Sequence, residues 1–240
     1  MKKQILFLTA ILSMAVSSCS YMGFVSVHPS GDYISKKINI GDFDNVSVSS
    51  GFELILTQDS VSSLSIETYE NLQNYIIVEV EGKTLEIYRE NGVNFSGRPD
   101  VKIYLSCKTL NRISSSGGGR VNLDNGWNAD ELEISLSGGG KVFGKVQLGS
   151  LDLSMSGGSR SDIEGVAEYL SISSSGGSDH KHFALESRKC RVDMSGGASA
   201  ELNVSESLEV DGSGGTRVRY KGNPQLKLRL TGGSSVNKAD

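Results

Sequence analysis

Little in this sequence points to reactive chemistry. Three histidines and three cysteines leave sparse material for a catalytic or metal centre. No Ser-His-Asp or paired-carboxylate constellation stands out. A basic excess is also missing. The 24 Lys and Arg stand against 28 Asp and Glu, a net −4, or 22 − 28 = −6 without Lys2 and Lys3 of the leader. Nucleic-acid binding needs clustered Lys and Arg, so an acidic exported chain is a poor fit. A 3.6-residue apolar period is absent, and glycine pairs every twenty residues would cost about 1 kcal/mol per glycine inside helices. Beyond the first 19 residues no run is apolar enough to cross a membrane.

What the sequence has instead is a returning Ser/Thr-Gly-Gly. Its first glycines are Gly117, Gly138, Gly157, Gly176, Gly196, Gly214 and Gly232, with steps of 21, 19, 19, 20, 18 and 18 residues. A period near twenty marks a stacked-repeat architecture. Four residues before each first glycine lies Ile113, Ile134, Leu153, Ile172, Val192, Val210 or Leu228. Six before lies an apolar residue in every repeat but the first, where Asn111 stands. A period of two means a strand with one buried and one wet face. About a dozen residues between runs let the chain go round and return parallel. The spacing predicts an all-β fold, a parallel β-helix or β-solenoid with coils of 18–21 residues and glycines at a corner. Right-handed winding follows from the general preference of parallel crossovers. Rungs about 4.8 Å apart would make roughly 30 Å of regular rod. A calcium-binding nonapeptide solenoid is disfavoured: it wants Gly-Gly-x-Gly-x-Asp, and only Asp162 fits the acidic position.

Residues 1–18 read as a lipoprotein signal peptide. Lys2 and Lys3 form the basic start, Ile5 to Val16 the apolar core, and small residues lead into Cys19. Cys19 is the expected lipidation site, which would anchor the chain to a membrane without a spanning helix. Residues 19–40 read as a tether and 41–110 as an irregular β region that begins the solenoid and covers its first turn. In that region Tyr75 to Val80 and Leu85 to Tyr88 bracket a glycine-containing turn and are expected to pair as a hairpin. Residues 111–240 are the regular repeats. Cys190 occupies a leucine position and should be buried, whereas Cys107 is expected to face outward; no disulfide between them is expected.

The order FDNVSVSSGFELILTQ, ENLQNYIIVEVEGKTLEIY, VKIYLSCKTLNRISSSGGG and then the glycine-paired repeats resembles a bacterial family described as putative auto-transporter adhesin, head GIN domain. The likeness runs over about residues 38–238. It is most specific at Asn71–Ile76, Gly82–Ile87 and Ile113–Gly118. The resemblance implies an exported protein, often a lipoprotein, with a right-handed β-helix. It brings no catalytic motif.

Outward positions supply the candidate sites. Ser114/Ser116, Ser135/Ser137, Ser154/Ser156 and Ser173/Ser175 repeat Ser-x-Ser on four successive coils. Stacked in register they would form a flat hydroxyl face. It would be either a solvated strand edge or a surface for sugars; ice binding is less apt because such arrays usually use Thr. Arg120, Lys141 and Arg160, with Arg217 further on, form a basic ladder that could hold an acidic polysaccharide or simply border solvent. His180 and His182 share one side of a strand and could share a zinc or copper ion, though their phase with Val121, Leu123 and Val142 favours a buried pair. Trp127 follows Asp124-Asn125-Gly126 and is expected on a bulging loop, there to cap the coil or stack on a sugar. No cofactor is implied. Nearly constant coils leave little loop for a cleft, which argues against the polysaccharide-cutting enzymes that some β-helices are. The expectation is a non-enzymatic lipoprotein of the cell envelope, in the outer membrane, that binds a polysaccharide or surface protein. The alternative is a structural or sensing scaffold without a soluble ligand. Self-association into a homo-oligomer through the rod's end is expected as well.

Overall fold

A computed structural model describes residues 25–239. The fold is nearly all β, 67% strand and 3% helix, with parallel coils of about 19 residues stacked into a solenoid of about 7 turns. The alternating runs lie directly over one another. Ile113 pairs with Ile134, Ile134 with Leu153, Leu153 with Ile172, Ile172 with Val192, Val192 with Val210, and Val210 with Leu228, all in parallel strands. Their side chains form one continuous inner row, sealed from solvent as far as Val210.

Each middle coil is one long strand that bends partway round: Arg120–Leu136, Lys141–Met155, Arg160–Ser174, Asp179–Met194 and Ser199–Gly212. Between them the Ser-Gly-Gly corners turn the chain. The first glycine of each corner has φ between +70° and +82°, a conformation that side chains other than glycine's rarely adopt. The coil below adds a second constraint. A Cβ on Gly196 would lie 2.8 Å from the carbonyl oxygen of Gly176. The corners also bond to one another. From Gly158 upward the second glycine's N–H donates to the first glycine's C=O one coil down, as from Gly197 to Gly176 at 2.8 Å and from Gly215 to Gly196 at 2.7 Å. Small residues close each corner from inside; Ser159, for example, donates to the Ser156 carbonyl at 2.7 Å.

The N-terminal end is built differently. Tyr33–Ile38 runs antiparallel to Ser63–Tyr69, which runs antiparallel to Lys102–Cys107. Ile76–Glu81 and Thr84–Arg89 form the expected hairpin. Thr84–Arg89 then joins the parallel pile under Asn45–Val48. Part of the segment read as a tether is therefore ordered: Val25–Val27 and Tyr33–Ile38 are strands paired to later residues. The leader, Cys19 included, lies outside the described residues.

Two inner positions differ from the sequence reading. Cys107 points inward and is 3% exposed, because it continues the phase of Ile103 and Leu105. Trp127 is buried rather than looped out. The register slips between Leu123 and Trp127, so Asp124, Asn125 and Gly126 form the bulge and Trp127 returns to the core. Gln58 clamps this bulge. Its backbone N–H and C=O bond the Asn125 amide at 3.0 Å each, and its own amide bonds Asn128 N and O at 2.8 Å each. The two cysteines among the described residues are free and buried, and burial pushes the Cys107 thiol up to about 12.

The two corner glycines should respond differently to the same methyl group. Gly196→Ala should lower stability by at least about 2 kcal/mol, from left-handed strain plus the clash with Gly176. Gly197→Ala, whose Cβ would sit 3.9 Å from that carbonyl, should stay within about 0.5 kcal/mol of the parent. Denaturant unfolding of the two variants measures the difference.

Candidate binding faces

The serine positions come into register as expected. Ser114 pairs with Ser135, Ser135 with Ser154 and Ser154 with Ser173, while Ser47 extends the row at one end and Asp193 at the other. Beside them run Ser116, Ser137, Ser156 and Ser175, each the first residue of a corner. Together the two rows border a shallow groove of about 580 Å³, with Leu136 and Met155 between them. Of the eight serines, only Ser135 directs its hydroxyl at a described side chain, Glu133 Oε1 at 3.5 Å. The rungs do not bond to one another through their hydroxyls, so this row of donors and acceptors remains available to a ligand. Among the described residues the groove is lined by one carboxylate, Asp193, and no cation.

The basic ladder lies beyond the corner, on a different face. Arg120 pairs with Lys141 and Lys141 with Arg160, so three cations do occupy successive rungs. Acidic rungs close both ends. Glu53 lies under Arg120 with its carboxylate 3.5 Å away, and Asp179 lies over Arg160 at 2.8 Å, accepting from both Nε and Nη2. Arg120 also covers the Phe143 ring at 5.8 Å. Of the three, Lys141 alone has no ion pair among the described residues, which leaves little free charge for an acidic polymer. Arg217 is separated from this group by Ser199.

His180 and His182 lie inside the pile, both 0% exposed. Ser161 Oγ is 3.0 Å from His180 Nδ1 and Ser174 Oγ is 3.2 Å from Nε2. His182 packs edge-on against His180, ring centres 5.7 Å apart, and neither of its nitrogens has a partner. No group of three or more His, Cys, Asp or Glu able to hold a metal occurs among the described residues. The geometry does not support the shared zinc or copper ion. These are core residues, held neutral by burial: His180 is pushed down to about 4 and His182 well below the usual imidazole range.

The sequence profile described as putative auto-transporter adhesin, head GIN domain, matches residues 42–224. The chain belongs to this family. Solved structures share the fold. A putative adhesin from Bacteroides fragilis NCTC 9343 superposes with a TM-score of 0.84 at 24% identity, covering 89% of this chain and 100% of its own. A putative adhesin from Parabacteroides merdae ATCC 43184 gives 0.75 at 21% identity, over 90% of this chain and 99% of its own. A putative lipid binding protein from Parabacteroides distasonis ATCC 8503 gives 0.73 at 23% identity, over 90% and 100%. No curated protein matches. Membership in an adhesin-like family marks the protein as exported, of the cell surface or envelope.

The histidine pair should make stability depend on pH. A folded pKa near 4 against about 6.5 unfolded means that the unfolded chain binds more protons in this window. Stability is then full above pH 6.5 and falls as the pH drops toward 4. His180 alone accounts for about 3 kcal/mol of that loss. His182→Leu, which copies Leu202 on the next rung, should raise stability at pH 7 by about 1–2 kcal/mol and flatten the acid limb. Urea midpoints between pH 4 and 7.5 test both.

Proposed function

We propose that this protein is a non-enzymatic, lipid-anchored binding module of the outer membrane, and that its serine groove takes an uncharged glycan. The observation that carries this reading is the row of outward hydroxyls on successive rungs, of which only Ser135's meets a described side chain. A repeating polymer of hydroxyl-bearing units can bond such a row at several rungs together, each bond modest and the sum useful. The absence of cations from the groove and the ion pairing of the basic ladder both favour a neutral ligand over an acidic one. The names of the relatives are compatible with adhesion, and one with lipid binding. The leader ending at Cys19 supports attachment through acyl chains, with the rod projecting from the membrane.

A glycan array with neutral and acidic polymers tests the ligand class. Neutral glycans should bind, and Ser135→Val with Ser154→Val should weaken binding about tenfold for each lost hydrogen bond. Binding to acidic polymers alone, lost in Lys141→Ala, would move the site to the basic ladder. No binding at all would leave the scaffold reading. Labelled fatty acid should enter the wild-type protein and not Cys19→Ala.

A further inference from the structure

The two ends of the solenoid carry matching rows. Traced through the strand register, one inner row runs Val80, Leu85, Val46, Ile113 and then rung by rung to Val210 and Leu228. Every member between the ends is buried, yet Val80 is 36% and Leu228 41% exposed. Leu226 and Leu230 beside Leu228 are open as well, at 44% and 37%. The strand Gln225–Leu230 bonds Ser199–Gly212 along one edge, and the hairpin strand Ile76–Glu81 bonds Thr84–Arg89 along one edge. Among the described residues the opposite edge of each has no partner strand. An open edge with an apolar inner face is a template for another strand.

The outward residues decide which strand fits. Along this column every ion pair joins one rung to the next, although Glu133 also lies beside Asp152, Asp193 beside Asp211 and Glu79 beside Glu86. Arg112 meets Glu133 at 2.7 Å, Arg191 meets Glu209 at 3.3 Å, and Lys227 meets Glu209 at 2.8 Å. Arg229 lies 3.6 Å from Asp211. The last rung is thus basic, and the next should be acidic. The first rung of the same column supplies it. Glu81 stands in the row that ends at Lys227, and Glu79 in the row that ends at Arg229. We infer that the occupant is a second copy of this chain, stacked head to tail, with Gln225–Leu230 of one copy pairing antiparallel with Ile76–Glu81 of the next.

A simple translation along the rod then seats Leu228 on Val80 and Leu230 on Val78, with Lys227 against Glu81 and Arg229 against Glu79. In the neighbouring column Val236 and Asn237 meet Lys36 and Lys37. The additional cation there, Lys238, bonds Asn223 Oδ1 at 2.6 Å and lies over Ile38, so no two cations are directly opposed. The contact is heterologous: each copy has one of each surface, and the assembly grows as an open filament. Because it uses the ends and leaves the serine groove free, it does not rest on the ligand reading.

Sedimentation of the protein over a range of concentrations tests the inference. Association should be evident at low ionic strength and at least tenfold weaker at about 1 M salt, where the screening length falls to about 3 Å. Glu79→Lys/Glu81→Lys and Lys227→Glu/Arg229→Glu should each stay monomeric alone and associate when mixed, since mixing restores opposite charges at every junction. Thermal unfolding of each variant checks that it is folded. Should the second variant fail to fold next to Glu209 and Asp211, Val80→Cys mixed with Leu228→Cys provides the second measurement. A disulfide between the two, formed above the level of either alone, supports the stack; the native Cys107 and Cys190 are buried and do not compete. A strictly monomeric protein, association indifferent to the charge variants, or binding of the Leu228 end to anionic lipid vesicles without self-association would each overturn it.

Discussion

Everything in the regular part of the rod depends on how closely one corner can sit on the next. From Gly138 upward, the carbonyl oxygen of each first glycine occupies the space where a side chain on the glycine above would begin. Removing that side chain lets the coils approach to hydrogen-bonding distance at the corner as well as along the strands, and the second glycine's N–H then reaches the carbonyl below. The corner is therefore an extension of the sheet ladder. Register follows, because the glycine pair pins the phase of the strand on either side. The serines, the ion-pair ladders and the inner aliphatic rows all inherit their alignment from it.

That alignment turns ordinary surface residues into rows whose character depends on more than their own type. The basic ladder is a clear case. Read as a column of three cations it suggests a site for acidic polymers; with Glu53 and Asp179 on the flanking rungs it is a mostly satisfied ion network. The serine row has no such neighbours to satisfy it, apart from Glu133 at one rung. The two faces were similar as sequence patterns and differ in what the rungs above and below provide.

The regular coils were legible because two independent periodicities coincide, alternation within each run and glycine pairs between runs. The hairpin at residues 76–89 was legible from its turn. What escaped reading has specific causes. Tyr33–Ile38 lies at a sheet edge with nearly every residue exposed, so it shows no alternation and resembles a leash. Trp127 was misplaced because the three-residue bulge before it resets the phase, and a glycine next to polar residues looks like a loop whichever way the following side chain turns. Cys107 carried its signal plainly, two residues beyond Leu105, and only its position at a strand end hid it. Glu53 could not be assigned to Arg120 from the chain, since 67 residues separate them and only the irregular first coils bring them together.

The buried histidines interrupt an interior made largely of aliphatic rows. Ser161, Ser174 and His180 form a small polar chain across adjacent rungs, and His182 adds two nitrogens with nothing to bond. Such a spot contributes less cohesion than the leucines around it. In a one-dimensional stack each rung is held chiefly by its two neighbours. A weak rung in mid-rod therefore divides the protein mechanically: under tension along the axis, separation would begin between the coils that meet at His182, leaving two blocks whose own aliphatic rows are still closed.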